Sequence, residues 1–252
     1  SSVAEWLKEK DCNEIYLIER SGMGITREIL RALGIDDVQK RLDLRYLCLD
    51  ELPDLDWRRE ILAGSHWKQG VEVPRFINRD SCVVQVCNLK THRFGGYFSA
   101  SLKNSIGLIA KHAHTGSRHN YMAELHGSPD QRLMIAEVNQ VYAPVLVVMD
   151  AMDVFVGGGP EKGDLAHPKV IAASRDRVAI DAAGVALLRI HGAGYPLNRN
   201  TIFEQEQLKR AVELKIGAQS AKQIEFLTMG ARAVVLASQL RPLISEEPEV
   251  QK

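Results

Sequence analysis

Short apolar runs alternate with amphipathic, helix-like segments along the chain. Runs of strand length occupy residues 14–19, 45–49, 83–89, 145–149, 169–173 and 233–236. Helical periodicity occupies residues 2–10, 27–33, 132–142, 176–190, 208–214 and 221–227. The runs at 83–89 and 145–149 are nearly continuous, which is typical of strands buried on both faces of a parallel sheet. The pattern predicts an α/β protein with a mostly parallel sheet flanked by helices and a helical C-terminal cap.

The first apolar run enters a turn that contains Gly22 and Gly24, and a helix and a second apolar run follow. This order predicts a βαβ unit with parallel strands. The turn lacks the third glycine of a dinucleotide-binding fingerprint, so a structural turn is favoured over a nucleotide site.

Two segments interrupt the alternation. Residues 50–74 are charged and have little periodicity, which indicates a surface excursion. Residues 90–130 are rich in His, Gly, Ser and Asn and predict an irregular insertion. Long irregular segments inside compact domains are usually functional, so the insertion is expected to carry the site.

Composition narrows the class of protein. The chain has 252 residues, 45% of them hydrophobic, which suits a single α/β domain with a full core. Lys plus Arg and Asp plus Glu both total 32, and this balance disfavours a nucleic-acid binder. No apolar stretch reaches about 18 residues and no segment resembles a signal peptide, which predicts a cytoplasmic protein without a membrane segment. The four cysteines form no C-x-x-C pair and no iron–sulfur cluster motif.

Cationic and imidazole side chains follow the apolar run 83–89. Lys90 and His92 would stand at the carboxyl end of that strand, where open α/β sheets bind ligands. An imidazole titrates near neutral pH, and a lysine beside other cations has a lowered pKa. We therefore predict that the catalytic residues are Lys90, His92 and His112. The predicted substrate-binding residues are Lys103, Asn104, Lys111, Gly157, Gly158 and Gly159.

Other polar residues leave alternatives open. His112 and His114, completed by Asp150 or Asp153, would form a metal site, although their spacing is not diagnostic. Each aspartate is equally compatible with capping of the next loop. Asp181 lies within an apolar helical pattern and is interpreted as a structural anchor, since a carboxylate there needs partners.

Several separated motifs resemble domain of unknown function family 362, in the order typical of that family. They are Lys90-Thr91-His92, Leu102-Lys103-Asn104-Ser105-Ile106-Gly107, Lys111-His112, Asp150-Ala151, Gly157-Gly158-Gly159-Pro160 and the stretch 174–181. The resemblance implies one α/β domain over residues 1–252, without the family's usual opening strand that ends in Lys-Pro-Asn. Members are often fused to ferredoxin modules or carry an export signal. The chain departs on both counts, although a start upstream of Ser1 would reopen the question of export.

These observations favour an enzyme that binds an anionic small molecule in a crevice lined by Lys and His at strand ends. The ferredoxin fusions of the family imply a redox-linked variant of this function, with a ferredoxin-type protein as electron donor. The alternative is a non-catalytic protein that binds a metal or cofactor. The cofactor is not identified by the sequence, and a divalent metal is one option. An interaction scaffold is a third hypothesis, and it predicts a large exposed apolar patch.

Overall fold

A computed structural model describes residues 2–12, 14–78, 81–116 and 118–246. These residues separate into two compact units. The first unit comprises Ser1–Glu60, Val71–Phe76 and Gly107–Tyr121. The second unit comprises Ile61–Gly70, Ile77–Ile106 and Met122–Lys252.

The first unit contains a parallel strand pair and an antiparallel strand pair. Its elements up to residue 74 are α1 (Ser2–Lys8), β1 (Tyr16–Glu19), α2 (Thr26–Ala32), α3 (Ile35–Leu42), β2 (Arg45–Cys48), β3 (Trp57–Glu60) and β4 (Val71–Pro74). Strands β1 and β2 pair in parallel across the two intervening helices, which confirms the predicted βαβ order. Strands β3 and β4 pair antiparallel.

The prediction of a surface excursion at 50–74 is wrong for much of that segment. Trp57 and Trp67 are 1% and 4% exposed, and Val71 and Val73 are fully buried. Glu72, between the two valines, is also buried and accepts hydrogen bonds from the backbone N–H groups of residues 114 and 115. The alternation Val71-Glu72-Val73 suggests a strand with one exposed polar face, but the hydrogen-bonded Glu72 carboxylate allows both faces of β4 to be buried.

The second unit contains a three-stranded sheet and two further strand pairs. The strands of this unit are β5 (Val84–Asn88), β6 (Lys90–His92), β7 (Tyr97–Ser99), β8 (Leu146–Ala151), β9 (Val154–Gly158), β10 (Gly163–Ala166) and β11 (Val170–Ser174). The sheet has the order β11-β8-β5, in which β5 is parallel and β11 antiparallel to β8. Pairs β6–β7 and β9–β10 are antiparallel. A mixed α/β protein is thus confirmed, with small sheets of mixed direction.

The helices beyond residue 100 are α4 (Ser101–Asn104), α5 (Tyr121–Gly127), α6 (Gln131–Glu137), α7 (Arg177–Ile190), α8 (Glu206–Glu213) and α9 (Ala231–Ile244). Part of the predicted insertion is therefore regular, and its residue 117 lies outside the described residues. The predicted helix at 221–227 is wrong beyond the short 3₁₀ turn Ala221–Gln223, and the predicted strand at 233–236 lies inside α9. Periodicity alone does not separate short apolar runs into helix and strand.

Strand β5 is buried on one face, not on both as predicted. Gln85 and Cys87 are buried, whereas Val86 between them is 56% exposed. The buried face packs against α4, and Gln85 donates to the Ser101 carbonyl at 2.9 Å. The polar Gln85 is therefore tolerated on the buried face because it has hydrogen-bond partners in the core. The pattern of hydrophobic residues in the sequence does not reveal those partners. None of the described helices is long and apolar enough to cross a membrane.

Candidate functional site

Two of the predicted site residues are in direct contact in the second unit. The Nζ atom of Lys103, on α4, lies 3.2 Å from Nε2 of His92, on β6. Lys90, at the start of β6, acts electrostatically on both side chains. We call Lys90, His92 and Lys103 the basic cluster.

The pairing of β6 and β7 explains why these residues meet. Leu89 is buried and donates its backbone N–H to the Asp150 carbonyl, so the chain continues from β5 directly into β6. Thr91 is also buried and donates its hydroxyl to the Phe155 carbonyl. Because side chains alternate along a strand, Lys90 and His92 project from one face of β6 and Thr91 projects from the other.

The turn between β6 and β7 makes room for the lysine. Gly95 has φ +76°, a conformation that favours glycine. A Cβ atom at Gly96 would lie 2.6 Å from Cε of Lys103, so only glycine lets the lysine stem lie against this backbone. The glycines of this turn are therefore required both for its conformation and for the position of the Lys103 amine.

Helix α4, which carries Lys103, is held in place by Asp181 on α7. The carboxylate of Asp181 accepts hydrogen bonds from the backbone N–H groups of Ser101, at 2.7 Å, and Leu102, at 3.0 Å. Asn139 donates to the Leu102 carbonyl at 3.0 Å. Burial raises the pKa of Asp181 to about 7, although both backbone N–H groups act in the opposite direction. The interpretation of Asp181 as a structural anchor is confirmed.

The basic cluster forms no ion pair with a carboxylate among the residues that the structure describes, although Asp150 and Asp153 line a crevice together with Lys90. Burial, together with Lys103 and Lys90, lowers the pKa of His92 to about 3. Burial and the charge of Lys90 lower the pKa of Lys103 to about 8. No described carboxylate lies within ion-pair distance of the three side chains. At neutral pH the His92 imidazole is therefore neutral, and the Lys103 amine is mostly protonated with a fraction in the free form.

Two crevices lie along β6. The larger, of about 350 Å³, is lined by Asn88, Leu89, Lys90, Asp150, Met152, Asp153, Phe155, Pro160 and Leu165. The smaller, of about 240 Å³, is lined by Thr91, His92, Arg93, Gly95, Tyr97, Val156, Gly157, Gly158 and residues 194–197. Members of the basic cluster thus contribute to both crevices, and either crevice has the volume for a small metabolite.

The glycine loop predicted to bind substrate packs on β6. Gly158 and Gly159 have φ values of +73° and +71°. A side chain at Gly159 would collide with the Thr91 carbonyl oxygen, and the Gly159 carbonyl accepts a hydrogen bond from the Arg93 N–H at 3.2 Å. Close backbone packing therefore accounts for Gly159, while Gly157 and Gly158 line the smaller crevice beside His92.

The remaining predicted substrate-binding and catalytic residues do not belong to the basic cluster. Asn104 is exposed at the end of α4. Lys111 and His112 belong to the first unit. There the Lys111 ammonium lies 3.5 Å from Asp50, and His112 forms an isolated bridge with Asn120. Their predicted roles stay predictions.

The residues predicted to bind a metal have other partners. Asp153 contacts His167 at 2.5 Å and Lys169 at 2.7 Å, and Asp150 accepts a hydrogen bond from the Met152 N–H at 2.8 Å. In the first unit His114 contacts Asp54 at 2.8 Å. Within the described ranges, no three His, Cys, Asp or Glu side chains are grouped to hold a metal ion. The metal site stays a prediction.

Sequence reasoning missed the groups that hold the β6–β7 turn. Tyr97 has φ +57°, in the left-handed region that a tyrosine seldom adopts. The Arg132 guanidinium lies 4.5 Å from the centre of the Tyr97 ring and donates a hydrogen bond to the Gly95 carbonyl at 2.9 Å. Arg132 stands on α6, far along the chain, so no local motif could have connected it with the turn.

Comparison with known proteins gives one match. The family model described as Domain of unknown function (DUF362) matches residues 1–186, which include the basic cluster and both glycine-containing turns beside it. Neither the curated proteins nor the solved structures gave a match.

Proposed function

The chain belongs to the DUF362 family, whose description assigns no activity, and from the geometry of the site we propose that the protein is an enzyme whose basic cluster binds an anionic small molecule. Lys90 and Lys103 supply positive charge, and His92 moves a proton at the bound molecule.

The single observation that carries this proposal is the contact between Lys103 and His92 without a neighbouring carboxylate among the described residues. Removing cations from water is unfavourable unless an opposite charge replaces the lost hydration. The folded protein bears that cost at the basic cluster. A carboxylate or phosphate bound there would provide the opposite charge and the hydrogen-bond acceptors.

Binding of an anion would also change the protonation of the cluster. The same neighbouring cations that lower the pKa of His92 would be partly neutralised, so its pKa would rise toward the range in which imidazole exchanges protons. A bound anion thus makes His92 a better proton acceptor, and proton transfer becomes coupled to occupation of the site.

Thermal shift measurements with sulfate, phosphate and a panel of carboxylated and phosphorylated metabolites test this proposal. We expect a rise in melting temperature for the unmodified protein, because a ligand at about 100 times its Kd stabilises the folded state by about 2.7 kcal/mol. The rise should be lost in Lys90→Met and Lys103→Met. It should persist in Lys209→Met, which removes an exposed lysine of α8. Equal shifts in all four proteins would refute the proposal.

A further inference from the structure

We infer that Lys103 is a nucleophile that forms a Schiff base with an anionic carbonyl compound of the 2-oxo acid or phosphorylated ketone class. This inference rests on the proposed function, since the anionic group is bound by the basic cluster. Beyond the proposed function, it names the reacting group of the substrate, a carbonyl, and the protein atom that attacks it, Nζ of Lys103.

The position of the amine supports a nucleophilic role. The stem of Lys103 lies against Gly96, and its Nζ atom reaches His92 instead of extending into water. Helix α4 is short, but its first two N–H groups are tied to the buried Asp181 carboxylate, so the base of the lysine is fixed. The amine is fixed beside His92, which lines the smaller crevice, so it reacts without the entropic cost of ordering a long side chain.

The surroundings of the amine favour its uncharged form. Only a free amine has the lone pair that attacks a carbonyl carbon, and desolvation beside a second cation is a known way to obtain it. Lys103 has both features, since it is largely buried and Lys90 is its neighbouring cation. Its pKa of about 8 leaves a useful fraction of free amine near neutral pH.

His92 can return the proton that the attack releases. When Lys103 donates to Nε2, the proton of the neutral imidazole sits on Nδ1, which is buried without a described hydrogen-bond partner. Nε2 therefore presents its lone pair to the attacking nitrogen. It can accept a proton from that nitrogen and pass it to the carbonyl oxygen within the same cluster.

The reaction balances without a further reagent. The Nζ lone pair forms a bond to the carbonyl carbon, the C=O π electrons move to oxygen, and His92 transfers one proton from nitrogen to that oxygen. The carbinolamine then loses the hydroxyl with a second proton from nitrogen as water, and the C=N bond forms. Lys90 binds the carboxylate or phosphate, so the two lysines have different tasks on one substrate.

Reductive trapping with borohydride tests the inference. The protein is incubated with pyruvate, 2-oxoglutarate or dihydroxyacetone phosphate, reduced, digested and mapped by mass spectrometry. With pyruvate we expect Lys103 to gain the mass of pyruvate minus one oxygen atom, with at least tenfold higher occupancy than at Lys209. The carboxylate and phosphate probes distinguish the two kinds of anionic group.

Variants separate a nucleophile from an electrostatic anion ligand. Lys103→Arg keeps the positive charge and should retain sulfate binding while losing all adduct at position 103. Lys90→Met should reduce labelling of Lys103 severalfold, and Lys209→Met should leave it unchanged. Adducts spread evenly over surface lysines, or none at Lys103 with any of the three probes, would overturn the inference. If sulfate still binds in a manner dependent on Lys90 and Lys103, only the Schiff base fails; if it does not bind, the proposed function fails as well.

Discussion

The second unit contains two clusters of ionisable side chains, one around the buried Glu137 and one, the basic cluster, that is partly buried, and they differ in how their charge is compensated. Glu137 on α6 is fully buried and accepts hydrogen bonds from the His66 backbone N–H at 2.9 Å and from Arg210 Nε at 3.0 Å. The His66 ring lies 2.7 Å from the same carboxylate. In the basic cluster, by contrast, the described polar partner of Lys103 is His92, and the neighbouring charge that acts on its amine is the cation Lys90.

The difference is the one expected between a structural cluster and the functional cluster that we propose. Glu137 connects the segment around His66 to α6 and α8, and its charge is matched within the fold. The basic cluster is costly to the folded protein as it stands, because its charges have no such match among the described residues. Uncompensated charge that persists in a folded protein is typical of sites at which activity is retained at the expense of stability.

The largest expected effect is the loss of the Glu137 charge. Glu137→Gln should lower the free energy of unfolding by about 3 to 5 kcal/mol, because it leaves the poorly exposed Arg210 without its buried partner. Urea denaturation measures this change. Glu213 is a matched control: it pairs with the same arginine but is 49% exposed, so Glu213→Gln should cost less than about 1 kcal/mol. Equal losses in the two variants would remove the contrast on which the comparison depends.

The anchor of α4 should give the next largest effect. Asp181→Asn replaces a carboxyl oxygen by an amide N–H₂ that cannot accept a hydrogen bond, whereas the protonated carboxyl group present at pH 5 keeps acceptor capacity on both oxygens, so the variant should lower the free energy of unfolding by about 1 to 3 kcal/mol near pH 5. The folded-state pKa of Asp181, about 7, is above its ordinary value of 3.8. The stabilisation is therefore present at low pH and is lost as the pH rises from about 4 to 7.

Urea denaturation at several pH values checks this expectation. The cost of Asp181→Asn should shrink toward pH 8, because the unmodified protein loses the contribution of the carboxyl group while the amide does not titrate. Sulfate affinity is measured in parallel, and it should fall in the variant, since α4 positions Lys103. A cost that is independent of pH would assign Asp181 a packing role alone.

The comparison also explains what could be predicted from the sequence. Lys90 and His92 were identifiable because they directly follow an apolar run, and the end of a strand is a local property. The parallel pairing of β1 and β2 is likewise readable from a local pattern, and the apolar helix pattern around Asp181 indicates that its carboxylate needs partners without identifying them. Those features depend on neighbours within one or two elements.

The contacts that complete the site are not local. The meeting of Lys103 with His92 depends on the β6–β7 turn and on Gly96, and the position of α4 depends on Asp181, about 80 residues later. Gln85 replaces an apolar residue on the buried face of β5, and Glu72 is buried on the face of β4 opposite to Val71 and Val73, because each has partners distant in sequence. Partners distant in sequence therefore hid the one-sided burial of β5 and the buried strand β4.

Replacement of the unmatched lysine should act on stability in the opposite direction to Glu137→Gln. Lys103→Met keeps a stem of similar volume and removes the amine, so it should raise the free energy of unfolding by about 1 to 2 kcal/mol while abolishing the sulfate response. The exposed Lys209→Met should change stability by less than about 0.5 kcal/mol. Stability lowered by Lys103→Met would indicate that the amine has compensating partners after all.

The smallest expected effect is on the pH dependence of anion affinity. Sulfate stays a dianion over the pH range used, so changes in its affinity reflect changes in the protonation of the protein. Lys103 donates as a cation below its pKa of about 8 and loses that charge above it, so affinity should fall about three- to tenfold as the pH rises from about 7 to 9. His92, which faces Lys103, Lys90, Arg93 and His126, is neutral throughout this range and adds no slope.

Isothermal titration calorimetry of the unmodified protein and Lys103→Arg checks the assignment. The guanidinium does not titrate below about pH 12, so a flat profile in the arginine variant attributes the slope to residue 103, and the same slope in both proteins would assign it to another group.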